Sequence, residues 1–564
     1  MEKTAQIIQD AIKQLFGIDQ IIQLTQPDPN FGDFATNIAM QLVKTVGTNP
    51  REIANQLAQK LTETGKFQEV SVAGPGFINI RLSSRELANT LNEEWSDNYG
   101  ENNDGAGKTV IVEYPSQNMA KPYSIGHLRT GNQGWAAKRL MEVTGWNVVT
   151  DNHLGDSGTP FGIWVVGFLK FSSEEQLFVG GVYELGRIYI ETKKALKDEE
   201  VAGQNELASQ VQDWLLRLEK SDEEAVNYSR RFNKISLDHI HEIMNRLKIS
   251  TDYELGEAFF APKGKIAAKG LVEKCIAVQN DDGSIIVPLD EYDINVPLLI
   301  QKSNGAALYG TTDLATILYR EEKWHPDRVI YAVGAEQQFY FKQLMALAKK
   351  LGIQTELIHM WFGMIDQVNE DGTREKMSSR KGVVLMEELL NEAEAKAREI
   401  VKGRDVSEDD IKKIALGAIK FTDFTADRRT NILFDWDSIF ALSGFSGPYV
   451  QYAAVRVNRI LSNNVNPQAD ISSYDYVPEK NILLKLMEYP GVVRLSARDL
   501  EPHRIALYLY ELARELNRYY EQTPVATGDV NDIQKTARLK MLEKVSYIFT
   551  HGLSLIGIEV PEKM

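Results

Sequence analysis

Apolar and polar residues alternate in patterns that divide the chain into three regions of different predicted structure. Helical spacing runs over residues 5–15 and 50–61, and a short strand-like run follows at 74–82. Residues 96–107 are rich in turn formers and show no periodicity, which is typical of a linker. We therefore expect residues 1–105 to form a small α+β domain.

Beyond the linker, short apolar runs alternate with helical patterns. A strand is predicted over 109–114, followed by a loop containing Pro, Ser and Asn and a helix from Leu128 onwards. A strand, a loop and a helix in this order begin a doubly wound nucleotide-binding fold. Three further strands are predicted over 146–151, 328–333 and 358–365. Residues from about 165 to 250 are charged and rich in helical patterns, and they are predicted to be an insertion in this fold. This pattern predicts a Rossmann-type domain over 106–385.

Helical spacing dominates the remainder of the chain. Amphipathic runs are found at 386–402, 438–462, 501–521 and 533–549. The predicted fold class is therefore α/β. It comprises a Rossmann-type domain with a helical insertion, a small α+β N-terminal domain and an all-α C-terminal domain over 386–564.

Composition narrows the class of protein. A chain of 564 residues with 43% hydrophobic and 25% charged residues is an ordinary globular protein of several domains. No run of 18 apolar residues predicts a membrane span, and the N-terminal residues do not have the pattern of a signal peptide. The single cysteine, Cys275, excludes an internal disulfide framework and a cysteine-based zinc site. His239 and His241 are two apart on a predicted helix, so they face different ways. We expect a cytoplasmic protein without a structural metal.

The formal net charge of −16 argues mildly against nucleic-acid binding, but the charge is unevenly distributed. Residues 401–564 hold 21 Lys and Arg against 22 Asp and Glu, a net charge of −1, so the first 400 residues carry the other −15. A nearly neutral C-terminal region can present a basic face locally.

Two segments have the chemistry of a nucleotide site. Residues 116–129 read SQNMAKPYSIGHLR and lie between a predicted strand and a predicted helix, where free N–H groups favour an anion. In this segment Gly126 lets a flat base approach the backbone, His127 can donate to a phosphate oxygen, and Lys121 adds positive charge. Residues 376–382 read KMSSRKG, and their cations suit a diphosphate leaving group. Each segment alone is more often an ordinary loop, but together, about 250 residues apart, they are far more specific.

These two segments resemble the HIGH and KMSKS signatures of class I aminoacyl-tRNA synthetases, and the wider sequence is similar to arginyl-tRNA synthetases over nearly the whole chain. The stretches that carry this similarity are NHLGDSG at 152–158, YELGE at 253–257, LYGTTDL at 308–314, VGAEQ at 333–337, GPYVQY at 447–452 and GIEVPEKM at 557–564. FGDFATN at 31–37 and GPGFIN at 74–79 resemble the family's added N-terminal domain. The resemblance implies a monomeric enzyme that joins L-arginine to tRNA(Arg), using ATP with Mg²⁺.

The sequence departs from the signatures at two positions. Ser124 stands where the first histidine is usual, and Ser379 stands where the second lysine is usual. In this family an upstream lysine, here Lys121, is thought to compensate for the missing lysine. The resemblance implies catalytic roles for Lys121, His127 and Lys376, and ATP contacts from Ser124, Gly126, His127, Lys376, Ser378 and Arg380.

The amino-acid pocket is assigned by the same resemblance to Asn118, Glu257, Tyr309, Asp313 and Gln337. The chemistry agrees, because a guanidinium is a planar cation with five donors that carboxylates accept in its plane. Glu257 and Asp313 would bind it, Tyr309 would pack on its aliphatic stem, and Asn118 and Gln337 would hold the backbone groups of the amino acid. Without the resemblance, these acids would be interpreted as ordinary surface residues.

The helical C-terminal region resembles an anticodon-binding domain. Its arginines and tyrosines could bind phosphates and stack on bases, and the candidates are Arg428, Arg429, Tyr449, Tyr452, Arg456 and Arg459. Core packing of the two tyrosines is an equally good interpretation. Phe77 and Asn79 are candidate tRNA contacts of the N-terminal domain.

Three alternatives remain open. The chain could be a degenerate relative that binds tRNA without catalysis, although His127, Lys376 and the full pocket set argue against that. It could be another HIGH-type nucleotidyltransferase acting on a small metabolite, but such enzymes lack a large helical C-terminal domain. A cysteinyl-type relative would need thiolate zinc ligands, which a chain with one cysteine does not have.

Overall fold

A computed structural model describes residues 2–564 of the chain, except residues 23, 26, 29, 120, 157, 369–373, 378–383 and 527. The chain divides into two compact units. The first consists of Met1–Glu101, Tyr449–Arg494 and Tyr508–Gly552, and the second of Asn102–Pro448, Leu495–Leu507 and Leu553–Met564. The three predicted domains remain a prediction, while compactness alone groups residues 386–448 with the second unit.

Helices and strands alternate through the first three quarters of the chain. Up to Glu101 the elements are α1 (Glu2–Phe16), β1 (Phe34–Thr36), α2 (Ile38–Val46), α3 (Pro50–Glu63), β2 (Glu69–Ala73), β3 (Phe77–Arg81) and α4 (Ser84–Glu94). Next come β4 (Thr109–Glu113), α5 (Leu128–Val143), β5 (Asn147–Asp151), α6 (Thr159–Phe171), α7 (Glu174–Val201), α8 (Glu206–Glu219), α9 (Glu223–Arg246) and α10 (Glu257–Glu273). The following elements are β6 (Val278–Gln279), β7 (Ile285–Leu289), β8 (Ile294–Gln301), α11 (Tyr309–Trp324), β9 (Arg328–Tyr331), α12 (Gln338–Lys350), β10 (Glu356–His359), β11 (Ile365–Val368) and β12 (Arg374–Lys376).

The last part of the described chain is mainly helical. Its elements are α13 (Met386–Ile400), α14 (Glu408–Asp423), β13 (Ile432–Phe434), α15 (Trp436–Ile439), α16 (Gly447–Asn463), α17 (Lys480–Asp499), α18 (His503–Gln522) and α19 (Asp532–Leu555). Short 3-10 turns occupy Ile125–His127, Asp290–Tyr292 and Ala335–Gln337. None of the helices in the described ranges is both long and apolar enough to cross a membrane.

The first unit contains a three-stranded antiparallel sheet in the order β1-β3-β2. Its central strand buries Ile78 and Ile80, and α3 buries Ile53, Leu57 and Leu61. Helix α3 begins as expected for its sequence, because Asn49 accepts from the N–H of Arg51 and Pro50 occupies the first turn. The α+β prediction for this region is confirmed.

A parallel sheet with the strand order β10-β9-β4-β5 forms the centre of the second unit. In β4, the side chains of Val110, Ile111 and Val112 are all buried, as expected for a strand covered on both faces. From β4 the chain builds outwards to β5 on one side, and later to β9 and β10 on the other. The change of direction between β4 and β9 opens a crevice at the carboxyl ends of these strands, where doubly wound folds bind ligands.

Most predicted elements are confirmed, and helices α6 to α9 account for the predicted helical insertion. The single strand predicted over 358–365 is wrong. Strand β10 ends at His359 and β11 begins at Ile365, and in between Gly363 donates its N–H to the carbonyl of Arg428. The sequence pattern also does not predict β13, which pairs with β11, or the antiparallel sheet formed by β6, β7 and β8.

Candidate active site

The predicted site residues of the second unit converge at the carboxyl edge of the parallel sheet. The loop after β4 carries Asn118 and His127, the loop after β5 leads through Asp156, and the turn after β9 ends at Gln337. Because the carboxyl ends of parallel strands lie at one edge, residues that are more than 200 positions apart in sequence share one crevice.

His127 closes a tight 3-10 turn at the start of α5. Its N–H donates to the carbonyl of Ser124 (2.9 Å), and the N–H of Ser124 lies 3.4 Å from its Nδ1. Burial lowers the pKa of His127 to about 4, and the nearby cation of Lys121 contributes to the decrease. The imidazole is therefore neutral at pH 7. With Nδ1 acting as an acceptor, Nε2 carries the proton and can donate to a phosphate oxygen.

Gly126 lies beside open space. A Cβ built at this position would meet only Ser124 Oγ, at 3.6 Å, which is an ordinary contact. The residue is exposed, and its backbone does not adopt a conformation that requires glycine. The fold itself therefore leaves room for a side chain at Gly126.

The second signature segment is anchored by backbone hydrogen bonds at both of its ends. Ile125 donates its N–H to the carbonyl of Val384 (3.0 Å), and Met386 donates to that of Tyr123 (2.9 Å). At the other end, Met377 donates to the carbonyl of Ile365 in β11 (3.0 Å). Lys376 ends β12, and only its backbone is described, while Ser378, Ser379 and Arg380 lie outside the described residues. The structure thus ties the later end of this loop to the first signature segment and the earlier end to β11.

A buried guanidinium, two residues after His127, ties the signature helix to its surroundings. Arg129 Nε donates to Asp423 Oδ1 on α14 (2.8 Å). Its other nitrogens donate to the carbonyls of Gly363, Thr430 and Arg428, at 2.8, 2.9 and 3.1 Å. Thr430 and Gly363 lead directly into β13 and β11, which support the second signature loop. Sequence inspection did not identify Asp423 as part of the site.

Asn118 is positioned by the glycine opposite it. A parallel bridge joins Asn118 to Gly155, and the N–H of Gly155 donates to the carbonyl of Gln117 (2.8 Å). A Cβ on Gly155 would lie 2.2 Å from Asn118 Oδ1, so any other residue would displace that side chain. Asp156, next in sequence, accepts from the N–H of Ala258 at the start of α10 (2.8 Å). The segment after β5 therefore holds both Asn118 and the helix that begins with Glu257.

Glu257, Tyr309 and Asp313 lie near one another at the starts of α10 and α11. Tyr309 is 61% exposed, but partial desolvation of its hydroxyl raises its pKa, and the carboxylates of Glu257 and Asp313 raise it further. Asp313 accepts a hydrogen bond from the hydroxyl of Tyr340, and its Oδ1 lies 4.0 Å from His153 Nε2. Burial also raises the pKa of Asp313. Sequence reasoning identified the two acids but missed His153 and Tyr340, although His153 lies within the stretch 152–158.

Beneath this pocket, a buried ion cluster joins three elements. Arg320 donates to Glu113 Oε2 (2.7 Å) and to Asp151 Oδ2 (2.8 Å), and all three side chains are buried. Glu113 and Asp151 are the last residues of β4 and β5, so Arg320 clamps the two strand ends that position the site loops. The cluster retains one net negative charge close to Asp313, which favours a cationic ligand.

Gln337 lies at the rim of the same edge. It ends the 3-10 turn after β9, its N–H donates to the carbonyl of Gly334 (3.2 Å), and its side chain is exposed. A parallel bridge between Gly334 and Phe362 joins this turn to the segment after β10. The side chain is available to a ligand in the crevice.

The candidate tRNA contacts of the second unit differ in exposure. Arg428 is only 9% exposed and donates to the carbonyls of Leu500 and Trp361. Arg429 is exposed but pairs with Asp427 and Glu501. Arg428 is therefore not part of the expected positive surface, because its guanidinium is buried and donates to carbonyls inside the fold.

The first unit holds the other candidate tRNA contacts. Tyr452, Arg456 and Arg459 are exposed on one face of α16, and Arg456 lies 4.3 Å from the ring centroid of Tyr520. Tyr449 is half-buried and accepts from Asn517 Nδ2 (2.9 Å). The remaining two candidates lie on β3, where Phe77 is 41% exposed but Asn79, in the central strand of its sheet, is 6% exposed.

One group of three histidine or acidic side chains in the described ranges is close enough to hold a metal ion. Ligand atoms of Asp427, Glu501 and His503 lie within 4.8 Å of one another, but Arg429 already bonds both carboxylates. His239 and His241 diverge, as predicted, since His241 pairs with Glu254 while His239 Nε2 faces the backbone of Tyr123.

Comparison with known proteins places this geometry in a family. The family described as "tRNA synthetases class I (R), catalytic domain" matches residues 89–436. The "Arginyl tRNA synthetase N terminal domain" matches residues 2–82, and the "DALR anticodon binding domain" matches residues 450–564. With the crevice at the sheet edge and the two signature segments, these matches define a class I aminoacyl-tRNA synthetase.

Full-length relatives narrow the class further. The arginine–tRNA ligase of Fusobacterium nucleatum is 33% identical, over 99% of this chain and 98% of its own length. That of Lactococcus lactis is 32% identical over 99% of both. The solved arginyl-tRNA synthetase of Thermus thermophilus superposes with a TM-score of 0.82 at 21% identity over 100% of both chains. That of Plasmodium falciparum reaches 0.80 at 23% identity over 100% of this chain and 99% of its own. The chain belongs to the arginyl-tRNA synthetase family.

Proposed function

We propose that this enzyme is an arginine–tRNA ligase that works in two steps at the carboxyl edge of the parallel sheet. In the first, the carboxylate of L-arginine attacks the α-phosphorus of ATP, and the bond to the β-phosphate breaks to release diphosphate. In the second, a ribose hydroxyl at the 3′ end of tRNA(Arg) attacks the arginyl carbonyl, and AMP leaves. The observation that carries the proposal is that the loop with His127 and the loop that holds the start of α10, with Glu257 near Asp313, leave the parallel sheet at the same edge.

ATP would bind against the turn that contains Gly126 and His127. The open space beside Gly126 admits the adenine, and the neutral His127 donates from Nε2 without needing to lose a proton. Lys121 supplies positive charge next to it. Lys376, Ser378 and Arg380 would bind the phosphates from the second signature loop, whose later end, at residues 384–386, is anchored beside Tyr123 and Ile125. Mg²⁺ would enter bound to ATP as part of the substrate. Fixed donors of this kind are typically worth about 3–4 kcal/mol each in the transition state.

Arginine would bind with its guanidinium between Glu257 and Asp313. The side chain of Asp313 is only 20% exposed and desolvation raises its pKa, so an arriving cation restores its preference for the charged form. Tyr309 packs at the mouth of the pocket, while Asn118 and Gln337 reach the backbone groups of the amino acid. A partly buried acid of raised pKa favours a cation in the ligand, which would add to the 4.0 Å contact of Asp313 with His153.

The tRNA would be bound by both flanking regions. The exposed face of α16 with Tyr452, Arg456 and Arg459, together with Tyr449, would contact the anticodon arm, and Phe77 with Asn79 would contact the body of the tRNA. Arg429 could add a phosphate contact, whereas the buried Arg428 is left out. We also propose a monomeric, cytoplasmic enzyme, the location being supported by the lone cysteine.

Aminoacylation of total tRNA with each of the twenty amino acids, supplied one at a time with ATP and Mg²⁺, tests the proposal. We expect charging with arginine alone and full dependence on ATP. Charging with another amino acid, or none at all under conditions where the protein is folded, would refute it.

A further inference from the structure

A group of lysines and aromatic residues lies on α10, on α11 and in the segment before α10, outside the catalytic crevice. We call it the lysine–aromatic cluster, and it consists of Tyr253, Phe259, Lys263, Tyr319, Lys323 and Trp324. The rings contact one another, with centroid separations of 5.4 Å for Phe259–Tyr319, 5.6 Å for Tyr319–Trp324 and 5.1 Å for Tyr253–Trp324. The two lysines are exposed.

Both ammonium groups lie over several ring faces. Lys263 Nζ is 3.9 Å from the centroid of Phe259 and 4.6 Å from that of Tyr319. Lys323 Nζ is 4.7 Å from the centroids of both Tyr253 and Trp324 and 5.3 Å from that of Tyr319. Every other lysine found over a ring in the described ranges faces one ring only, as at Lys108, Lys138, Lys170, Lys193 and Lys544.

The charges of this cluster are held in place but not neutralised. Ring faces attract a cation and fix its position, but unlike a carboxylate they do not cancel its charge. Within the described ranges, neither Lys263 nor Lys323 pairs with a carboxylate. Lys323 donates once to the hydroxyl of Tyr319 (2.9 Å), so two of its three N–H donors remain for a ligand. In a chain with a net charge of −16, two cations held around the one ring of Tyr319 are suited to an anion.

The cluster borders the proposed arginine pocket. Phe259 lies two residues after Glu257, and Phe260 packs against Tyr319 on one side (5.6 Å) and against His153 on the other (5.5 Å). His153 in turn lies 4.0 Å from Asp313. Phe259 is 41% exposed, so a flat ligand can reach its ring. An anionic partner bound here would lie beside the site at which arginine is transferred.

We infer that the lysine–aromatic cluster binds the acceptor end of tRNA, with Lys263 and Lys323 contacting phosphates and Phe259 offering a face to a base. This inference rests on the proposed function, because transfer requires the 3′ end to reach the arginine pocket from outside. The combination of backbone cations with exposed rings is the general chemistry of single-stranded nucleic-acid binding. Phosphate contacts release counterions, so each contact contributes to the salt dependence of affinity.

The test compares tRNA binding by the wild-type chain and by a Lys263→Gln/Lys323→Gln double variant over a series of KCl concentrations. For each lost phosphate contact we expect the slope of log Kd against log [KCl] to decrease by about 0.7–0.9 and binding at 0.15 M salt to weaken about four- to fivefold. The same difference should appear with an RNA minihelix made of the acceptor stem and 3′ end alone, since that fragment lacks the anticodon arm. The KM for arginine should not change.

Two control variants separate charge from packing. Lys274→Gln/Lys349→Gln removes two exposed lysines outside the cluster and should leave the slope unchanged. Lys263→Arg/Lys323→Arg keeps both charges over the rings and should retain the wild-type slope. If the Gln variant has the slope of the wild type, or if the minihelix shows no difference, the inference is overturned while arginylation by the wild type still supports the proposed function. Failure of the wild type to charge tRNA would instead refute the proposed function.

Discussion

Arg129 and Asp423 form an ion pair that is almost completely shielded from solvent, with Nε and Oδ1 2.8 Å apart and side chains 2% and 0% exposed. The two residues lie 294 positions apart in the sequence. Gln133, one turn further along α5, donates to the same oxygen (2.9 Å). This pair sets the position of the helix that carries His127 relative to α14 and to the strands beneath the second signature loop.

Asp423→Asn should destabilise the fold strongly. The substitution leaves the Arg129 cation buried without its counter-charge, and breaking a buried pair in this way typically costs about 3–5 kcal/mol. The expected result is a decrease of that size in the free energy of unfolding, measured by urea denaturation. Asp409→Asn on the same helix is the matched control. It breaks the more exposed pair with Lys413, so it should cost no more than about 1 kcal/mol. Equal effects of the two variants would contradict the importance given to burial.

Gly126→Ala should affect function without affecting stability. The added Cβ meets no protein atom closer than 3.6 Å, so the midpoint of thermal unfolding should stay the same. If adenine lies against Gly126, the methyl group occupies ligand space, and the KM for ATP should rise about tenfold or more, the result of losing about 1.4 kcal/mol of binding. Steady-state arginylation at varied ATP measures the change. An unaltered KM for ATP would show that the nucleotide binds elsewhere.

Keeping His127 neutral in the folded state costs free energy, and this cost depends on pH. Its pKa is about 4 in the fold against an ordinary value of 6.5, so between these values the unfolded chain binds a proton that the folded chain does not. The free energy of unfolding should therefore fall as the pH falls from about 6.5 to about 4. His127→Gln should remove this contribution. Between pH 7 and pH 5, the free energy of unfolding of the variant should therefore fall less than that of the wild type, as measured by urea denaturation at both pH values.

A second histidine provides a comparison for that experiment. Burial also lowers the pKa of His359 to about 4, so His359→Gln should show the same kind of relative gain at low pH. Only His127→Gln should also lower arginylation, by about 10²–10³ in kcat/KM for loss of a transition-state donor. A change of less than threefold in kcat/KM would exclude His127 from the reaction.

Local sequence patterns predicted the elements that depend on local chemistry. Strands β4, β5 and β9 are apolar runs bounded by turn formers, and their buried positions follow from that pattern alone. Strand β13 has three residues, and its strand conformation is set by pairing with β11, a partner 67 positions earlier. The segment 358–365 reads as one apolar run, but the hydrogen bond from Gly363 to Arg428 bends it away from β10. Short elements are decided by tertiary partners that a local window does not contain.

The site residues show the same division. The signature segments and the pocket acids were found because they resemble a family, and the structure brings most of them to one sheet edge. Asp423, Arg320 and Tyr340 could not be found, because each acts through a partner that is distant in sequence. Arg428 was interpreted as part of a local positive face because arginines and aromatic residues cluster in the nearly neutral C-terminal region. A truncation near residue 400 would remove Asp423 and β13 from the catalytic unit, so tRNA binding has to be tested by point substitutions.

Asp313→Asn should damage recognition of arginine selectively. Removing one partner of a desolvated charge pair typically costs about 2–5 kcal/mol, so kcat/KM for arginine should fall about 30-fold or more. Glu322→Gln removes an exposed carboxylate from the same helix and should change kcat/KM by less than twofold. The wild type should discriminate against citrulline by about 10⁴–10⁵, because citrulline leaves both pocket acids without a cation. Comparable losses in the two variants would mean that Asp313 acts only through the overall charge.

Arg456→Gln/Arg459→Gln should weaken binding of the anticodon arm. Both arginines are exposed on the same face of α16 as Tyr452, and Arg456 is held in place by the ring of Tyr520. If both contact phosphates, an isolated anticodon stem-loop should bind the variant more weakly, with a salt slope lower by about 1–2. Binding of an acceptor minihelix should remain unchanged, which is the reverse of the result expected for the lysine–aromatic cluster.

Arg518→Gln on α18 removes an exposed arginine that already lies near Glu515, so it serves as the control and should bind the stem-loop like the wild type. Unchanged stem-loop affinity in the double variant would leave Tyr452, Arg456 and Arg459 as ordinary surface residues and would move the anticodon site to another face of the first unit.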